Sequence, residues 1–366
     1  MRKVPAMYIN SVKENINDRL LCICKGYARV RHARCRRASS CDSPLFLWRF
    51  DFLHLFMLQL FCKPTGNANE KGAITLERKK KGLFVGLCTK DILYYTDDLP
   101  THNHKSKTDD FATYIGGPAA NAAITYAALG GDATLATCLG VSTESRAMIE
   151  ELKNYGVKVL NYSEYETVPN TACIVVSSDG KRTILSGQHE FEVNREYDLS
   201  GYDFALFDCN QQEVSLDILD TLTTSGGKKI VLDAGSLKPN MEKFLEQADI
   251  VVASEDFKDG AGNTIFEMEC NAAHKAITRG EKSILYRGAE TEQEDCADSN
   301  GKDTKELPVD PVQAVDTLGA GDIFHGAFCY GYFEKGYSFE EALIFAGKVA
   351  SESVKYRGPR EWMVHL

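Results

Sequence analysis

Short apolar runs recur along the second half of the chain, at residues 204–209, 229–233, 250–253 and 283–286. Polar-patterned stretches long enough for a helix separate them, such as 213–224 and 271–278. Strands that alternate with helices at this spacing are joined by crossovers. They build βαβ units and therefore a parallel sheet buried on both faces. No other feature restricts the fold as much.

The first half repeats the theme with additions. Residues 83–87 read as a strand, 132–139 as another, and 143–155 as a helix closed by Gly156. Gly116-Gly117-Pro118 breaks a strand-like run at 111–115 and opens a helix of small residues, which Gly130-Gly131 ends. Residues 92–95 and 111–115, with a hairpin at 171–178 and 182–186 around a Ser-Asp-Gly turn, do not fit the βα rhythm. They predict a small extra sheet, placed as a lid over a site or as an edge used in dimerisation. Two helices, 321–335 and 338–356, finish the chain.

The net charge of −10 over 366 residues averages two unlike parts. Residues 1–82 carry +11 and residues 83–366 carry −21. So acidic a main part disfavours a general nucleic-acid binder. The 12 cysteines contain no Cys-x-x-Cys pair, which argues against structural zinc and for a reduced, intracellular chain. Residues 1–81 read as a basic N-terminal extension with no visible chemistry. They include an apolar run at 43–62 interrupted by Arg49, Asp51 and His54, each expensive in a membrane. The Arg-rich stretch before that run has the composition of a transit peptide. A cytoplasmic location, or organelle targeting by this extension, is expected; membrane association is not.

The motif that carries chemistry is Asp316-Thr317-Leu318-Gly319-Ala320-Gly321-Asp322, running into a helix. A Gly-Ala-Gly turn at a helix start leaves backbone N–H groups pointing outward at the positive end of the helix dipole. That arrangement suits a phosphoryl group in transit. Asp322 in the first turn is either simple dipole compensation or a general base for a substrate hydroxyl.

This string resembles the signature of the ribokinase-like, or PfkB, sugar kinases. The upstream run Gly116-Gly117-Pro118-Ala119-Ala120-Asn121-Ala122-Ala123 resembles that family's other signature, GG-x-x-x-N-x-A. The resemblance covers residues 82–366 and implies a three-layer α/β/α sandwich with a mainly parallel central sheet. A small β-sheet lid would be drawn from about 91–116 and 171–187. The implied activity is transfer of the ATP γ-phosphoryl to a primary hydroxyl of a sugar.

The resemblance assigns Asp322 as the catalytic base and Gly319, Ala320 and Gly321 as the anion hole. Asp91, Gly117 and Asn121 match sugar-contacting positions, and Lys105 falls where an anionic sugar substituent could be met. Asp316 and Thr317 match positions near the ATP phosphates and the metal. Thr278 and Gly280 resemble the Thr-x-Gly that lines the ATP site, and Ala346 and Gly347 the helix that packs on adenine. His325 is expected to pack its helix rather than react. Where the family carries Asn-x-x-Glu, this chain has Ser254 and Phe257, so Glu255 is the nearby carboxylate assigned to the metal.

Mg²⁺ with ATP is the implied cofactor set, together with a monovalent cation such as K⁺. The ketohexokinase and sulfofructose kinase branch looks nearest, on Asp91–Tyr95, Ser254-Glu255 and Asp322–Gly326. The expected acceptor is therefore a ketose, fructose-like or sulfofructose-like. The rival readings are a nucleoside kinase of the same fold and a non-catalytic sugar- or nucleotide-binding member. A homodimer through the lid sheet is expected.

Overall fold

Strand β1 (Lys81–Val85) places Leu83, Phe84 and Val85 in full burial, which only a strand covered on both faces allows. It sits near the middle of the large sheet in this computed structural model, which describes residues 78–103, 105–178, 182–187, 189–288 and 304–366. The extension 1–77, with its apolar run and basic stretch, lies outside the described residues. Among those described, no helix is long and apolar enough to cross a membrane.

The chain continues through β2 (Thr89–Thr96), β3 (Phe111–Gly116), helix α1 (Pro118–Ala128), β4 (Asp132–Thr137), α2 (Thr143–Asn154), β5 (Lys158–Asn161), β6 (Thr171–Ser177) and β7 (Arg182–Gly187). Then come β8 (Phe204–Phe207), α3 (Gln212–Ser225), β9 (Lys229–Ala234), α4 (Met241–Gln247), β10 (Ile250–Ser254), β11 (His274–Thr278), β12 (Ile284–Gly288) and β13 (Lys305–Leu307). Helices α5 (Ala320–Cys329) and α6 (Phe339–Ser353) follow. Among the described residues the large sheet runs β13-β12-β11-β10-β9-β8-β1-β4-β5. Every neighbouring pair is parallel except β11–β12 and β12–β13.

Alternate residues of each central strand feed two separate cores. Phe84, Leu135, Leu206 and Val252 join a core with residues of α1, α2, α5 and α6. Leu83, Val85, Phe207 and Val251 join the other, with residues of α3 and α4. The result is the expected three-layer sandwich. Residues 271–278 do not form a helix: 274–278 is strand β11, paired in parallel with β10. Its strand signal is confined to the β-branched Ile277 and Thr278, and Ala272-Ala273 before it favour a helix.

The extra strands do form a second sheet, in the order β3-β2-β6-β7. Its pairs β2–β3 and β6–β7 are antiparallel, and β2–β6 joins them in parallel. Leu93, Ala172, Ile174 and Val176 bury one face, against which Tyr95, Tyr114 and Leu318 pack. Leu318 belongs to the loop before α5, so the small sheet rests on that loop.

Two features fix where the site forms. The strand order reverses between β1 and β8, and ligands of such sheets bind at the carboxyl ends of strands beside a reversal. Helices α1 and α5 also cross closely. A Cβ on Gly326 would lie 2.3 Å from the Ala122 carbonyl oxygen, so only glycine fits. Gly347 on α6 has room, with its nearest neighbour at 3.5 Å. Gly326→Ala should lower stability by about 1–3 kcal/mol, whereas Gly347→Ala should leave it unchanged or raise it slightly. Urea denaturation of both variants checks this; equal stabilities would contradict the close crossing.

Candidate active site

Asp208 lies at the end of β8 and is 1% exposed. Its Oδ2 accepts the Leu87 N–H at 2.9 Å and the Ala119 N–H at 3.1 Å, and Oδ1 accepts the Asn210 N–H at 2.8 Å. One carboxylate thus joins the end of β1, the first turn of α1 and its own strand end. Burial raises its pKa, against the pull of these amides. Gly86, at φ +145°, has no Cβ because one would fall 1.9 Å from Asp208 Oδ1.

Gly117 caps α1 at φ +93°, and its backbone passes so close to Leu87 that a Cβ would sit 2.3 Å from the Leu87 oxygen. One turn later Asn121 points toward α5, where its Nδ2 donates to Asp322 Oδ2 at 2.6 Å. On the other side Arg360 Nη2 donates to Asn121 Oδ1, also at 2.6 Å. Both polar atoms of Asn121 therefore already have protein partners, where the sequence suggested that they serve a polyol.

The N-terminus of α5 is open. Gly319 caps it at φ +74° with no side-chain hydrogen bond, and nothing lies within 4 Å of a Cβ built on Gly321. The first helical bond runs from Ile323 N–H to the Gly319 oxygen at 2.8 Å. The amides of Ala320, Gly321 and Asp322 precede it, and that of Ala320 closes weakly on the Thr317 oxygen at 3.3 Å. Burial, then the nearby Asp233 carboxylate, push the Asp322 pKa up to about 7 against the pull of Asn121 and His325. A carboxylate so placed can take a proton near neutral pH.

His325 is buried. Its Nδ1 lies 2.7 Å from the Gly321 oxygen and its Nε2 3.2 Å from the Val252 oxygen, so it pins α5 to β10 as a packing residue. Its Nδ1 is also 3.4 Å from Asp233 Oδ2, at the end of β9.

The remaining assigned residues spread around this centre. Asp91 is buried on β2, accepts the Thr89 hydroxyl at 2.6 Å and has its pKa raised by burial. The Asp316 carboxylate accepts the Leu318 and Gly358 N–H groups, each at 2.9 Å, and so shapes the loop itself. Thr317 Oγ1 accepts from Arg182 Nη1 of the small sheet at 3.0 Å. Lys105 lines an open recess of about 780 Å³ with Tyr95, Thr108 and Arg357, which Asn121 and Asp322 do not line.

On the nucleotide side, Thr278 ends β11 and bonds the Ala253 oxygen at 3.3 Å, and Gly280 turns at φ +62°. Gly347 lines a cleft of about 230 Å³ with Ile284, Leu307, Val309 and Leu343. Ala346 faces the core instead, fully buried. Phe257 is a core residue at 1% exposure, which is why no carboxylate stands there. Both oxygens of Glu255 lie 3.0 Å from Lys282 Nζ. Among the described residues no group of three or more His, Cys, Asp or Glu could hold a metal ion. The donor set therefore does not build a cage for a resident metal.

Asp208, Asp233 and Arg360 were not found from the sequence. The two aspartates could have been, because each is the acidic end of a buried strand, where ligands of parallel sheets bind. Arg360 carries no local signal.

Residues 79–365 match the pfkB family carbohydrate kinase profile. The chain belongs to that family. It is 26% identical over 281 residues to the ribokinase of Bacillus subtilis (strain 168), covering 74% of this chain and 91% of the relative. It is 25% identical over 300 residues to the ketohexokinase of Mus musculus, covering 76% of this chain and 98% of the relative. The ribokinase of Cryptococcus neoformans var. grubii serotype A, solved with ADP, has the same fold at TM-score 0.64 and 20% identity, over 78% of this chain and 97% of that one. The protein is an ATP-using kinase of the class that phosphorylates alcohol groups.

The raised Asp322 pKa has a stability consequence with a definite sign. Between the unfolded value of 3.8 and about 7, the folded state keeps a proton that the unfolded chain has lost. Stability attributable to Asp322 is therefore greatest below pH 4 and falls as pH rises to about 7. Asp322→Asn should abolish this slope and be the more stable protein at pH 8, by an amount on the order of one to a few kcal/mol. Urea denaturation of both proteins at pH 5 and pH 8 measures it; a wild type that is the more stable at pH 8 would contradict the assignment.

Proposed function

We propose that the protein transfers the γ-phosphoryl of ATP to a primary hydroxyl of a free sugar, with Asp322 as general base. The observation that carries this reading is the meeting of Asp322 with the open α5 N-terminus. The base and the amides of Gly319, Ala320 and Gly321, of which that of Ala320 closes only weakly on the Thr317 oxygen, stand within one helical turn. The sugar hydroxyl gives its proton to Asp322, its oxygen bonds the γ-phosphorus, and the bond to the β-phosphate oxygen breaks to release ADP. Amides aimed at the phosphoryl oxygens stabilise the charge that develops there.

A divalent ion, Mg²⁺ in this reading, would neutralise phosphate charge when bound. It would be carried in on the nucleotide phosphates, since Glu255 is held by Lys282. Thr278, Gly280 and Gly347 are proposed to line the nucleotide side, with Asp316 and Thr317 shaping the phosphate loop. Asp91 and the Gly117 turn are proposed to meet the sugar.

The acceptor is proposed to be a neutral monosaccharide. A ketose is supported by the branch residues and by the likeness to ketohexokinase, and ribose by the likeness to ribokinase. Lys105 stands in a separate recess, which weakens the sulfonated-sugar form of the ketose reading. The exposed Ile184 and Leu185 on edge strand β7 support pairing of two lids in a dimer.

Turnover with Mg²⁺·ATP over fructose, ribose, a sulfonated ketose and inosine tests the reading. Fructose or ribose should be phosphorylated, and Asp322→Asn should lose at least about a hundredfold in kcat while still binding the sugar. Preference for inosine would favour a nucleoside kinase, and undiminished Asp322→Asn turnover would remove the base.

A further inference from the structure

Arg360 follows helix α6 and is 7% exposed, held in a turn that the buried Trp362 anchors through its Nε1 bond to the Pro359 oxygen at 3.1 Å. Its Nη2 donates to the Ile115 oxygen at 2.7 Å and to Asn121 Oδ1 at 2.6 Å, and its Nη1 to the Pro359 oxygen at 3.0 Å. Among the described residues it has no carboxylate within ion-pair distance, and its Nε has no hydrogen-bond partner. Burial lowers its pKa. A buried guanidinium without a direct counter-ion is costly to keep. The nearest carboxylate in the hydrogen-bond chain is Asp322, one amide away.

The chemistry of that amide gives the charge a task. A guanidinium only donates, so it forces the acceptor end of Asn121 toward itself. The amide N–H₂ must then face Asp322. We propose that Arg360 is a positioning residue for the base, fixing the Asn121 amide so that it donates to Asp322 Oδ2 and leaves Oδ1 for the substrate hydroxyl. The same chain of bonds places positive charge behind the amide and favours the ionised carboxylate. It opposes the groups that favour protonation: Asp233 at the end of β9 and Asp208 at the end of β8. His325 on α5 also favours the ionised carboxylate, and Arg360 for its part faces Tyr155, Asp322, Glu151 and Asp91.

The role as positioner of a base rests on the proposed kinase chemistry; the control of Asp322 ionisation does not. The test therefore reads ionisation directly. The full chain is labelled with carboxyl-¹³C aspartate, and the Asp322 resonance is identified by its loss in Asp322→Asn. Its titration midpoint is followed in the wild type, Arg360→Met, Arg360→Lys and Asn121→Asp.

Removing the charge, or replacing the donating amide by a second carboxylate, should move the midpoint about one pH unit upward. Arg360→Lys still donates to Asn121 and should stay near the wild type. The acid limb of kcat/KM should move with the midpoint, so that Arg360→Met recovers activity at alkaline pH. An unmoved midpoint in any folded Met or Asp variant overturns the proposal, as does an activity loss equal at every pH. If Arg360→Met does not fold, Asn121→Asp decides alone, because it leaves the acceptor for Arg360 in place. A moved midpoint in a protein that phosphorylates no sugar would refute the proposed sugar phosphorylation and leave the control of Asp322 standing.

Discussion

The site depends on the Asp208 carboxylate. Three backbone amides from three segments point at it, and it sits where the strand order reverses. Without it the first turn of α1 would have a buried donor at Ala119 with nothing to accept it. Leu87 would also be free to move away from the strand end. Because α1 carries Asn121, the direction of that helix is set by an acid on the far side of the sheet reversal. The requirement for glycine at position 86 is the steric side of the same arrangement.

The second requirement is the approach of α1 to α5. Alanines on one helix and Gly326 on the other let the backbones come together. The hydrogen bond from Asn121 to Asp322 spans that contact. Packing and the proposed base therefore share one interface. The small-residue composition of both helices is what allows a polar bridge to form between two helices of one layer whose contact is otherwise apolar.

Much of this was legible beforehand. The glycines and Asp322 could be read because their roles are local: a turn, a helix start and a first-turn acid lie within a few residues. The sandwich could be read because buried parallel strands are continuous apolar runs. What stayed hidden was non-local. Nothing near Asn121 in the chain reveals its partner Arg360, 239 residues away. Strand β11 carries a strand signal only in Ile277 and Thr278, the other three of its five residues having none; pairing with β10 decides it. Ala346 and Gly347 are adjacent in sequence, yet one faces the core and the other a cleft, a division set by helix rotation against β12.

The position of Arg360 in the chain also bears on how the protein is made. Synthesis runs from the N-terminus, and domains begin to fold as they emerge. Asp91, Asn121, Asp208 and Asp322 all leave the ribosome before Arg360 does. A nascent chain with its sheets and helices already in place would still lack the cation that orients the Asn121 amide. The chain of bonds Arg360–Asn121–Asp322 can therefore close only after Arg360 has emerged.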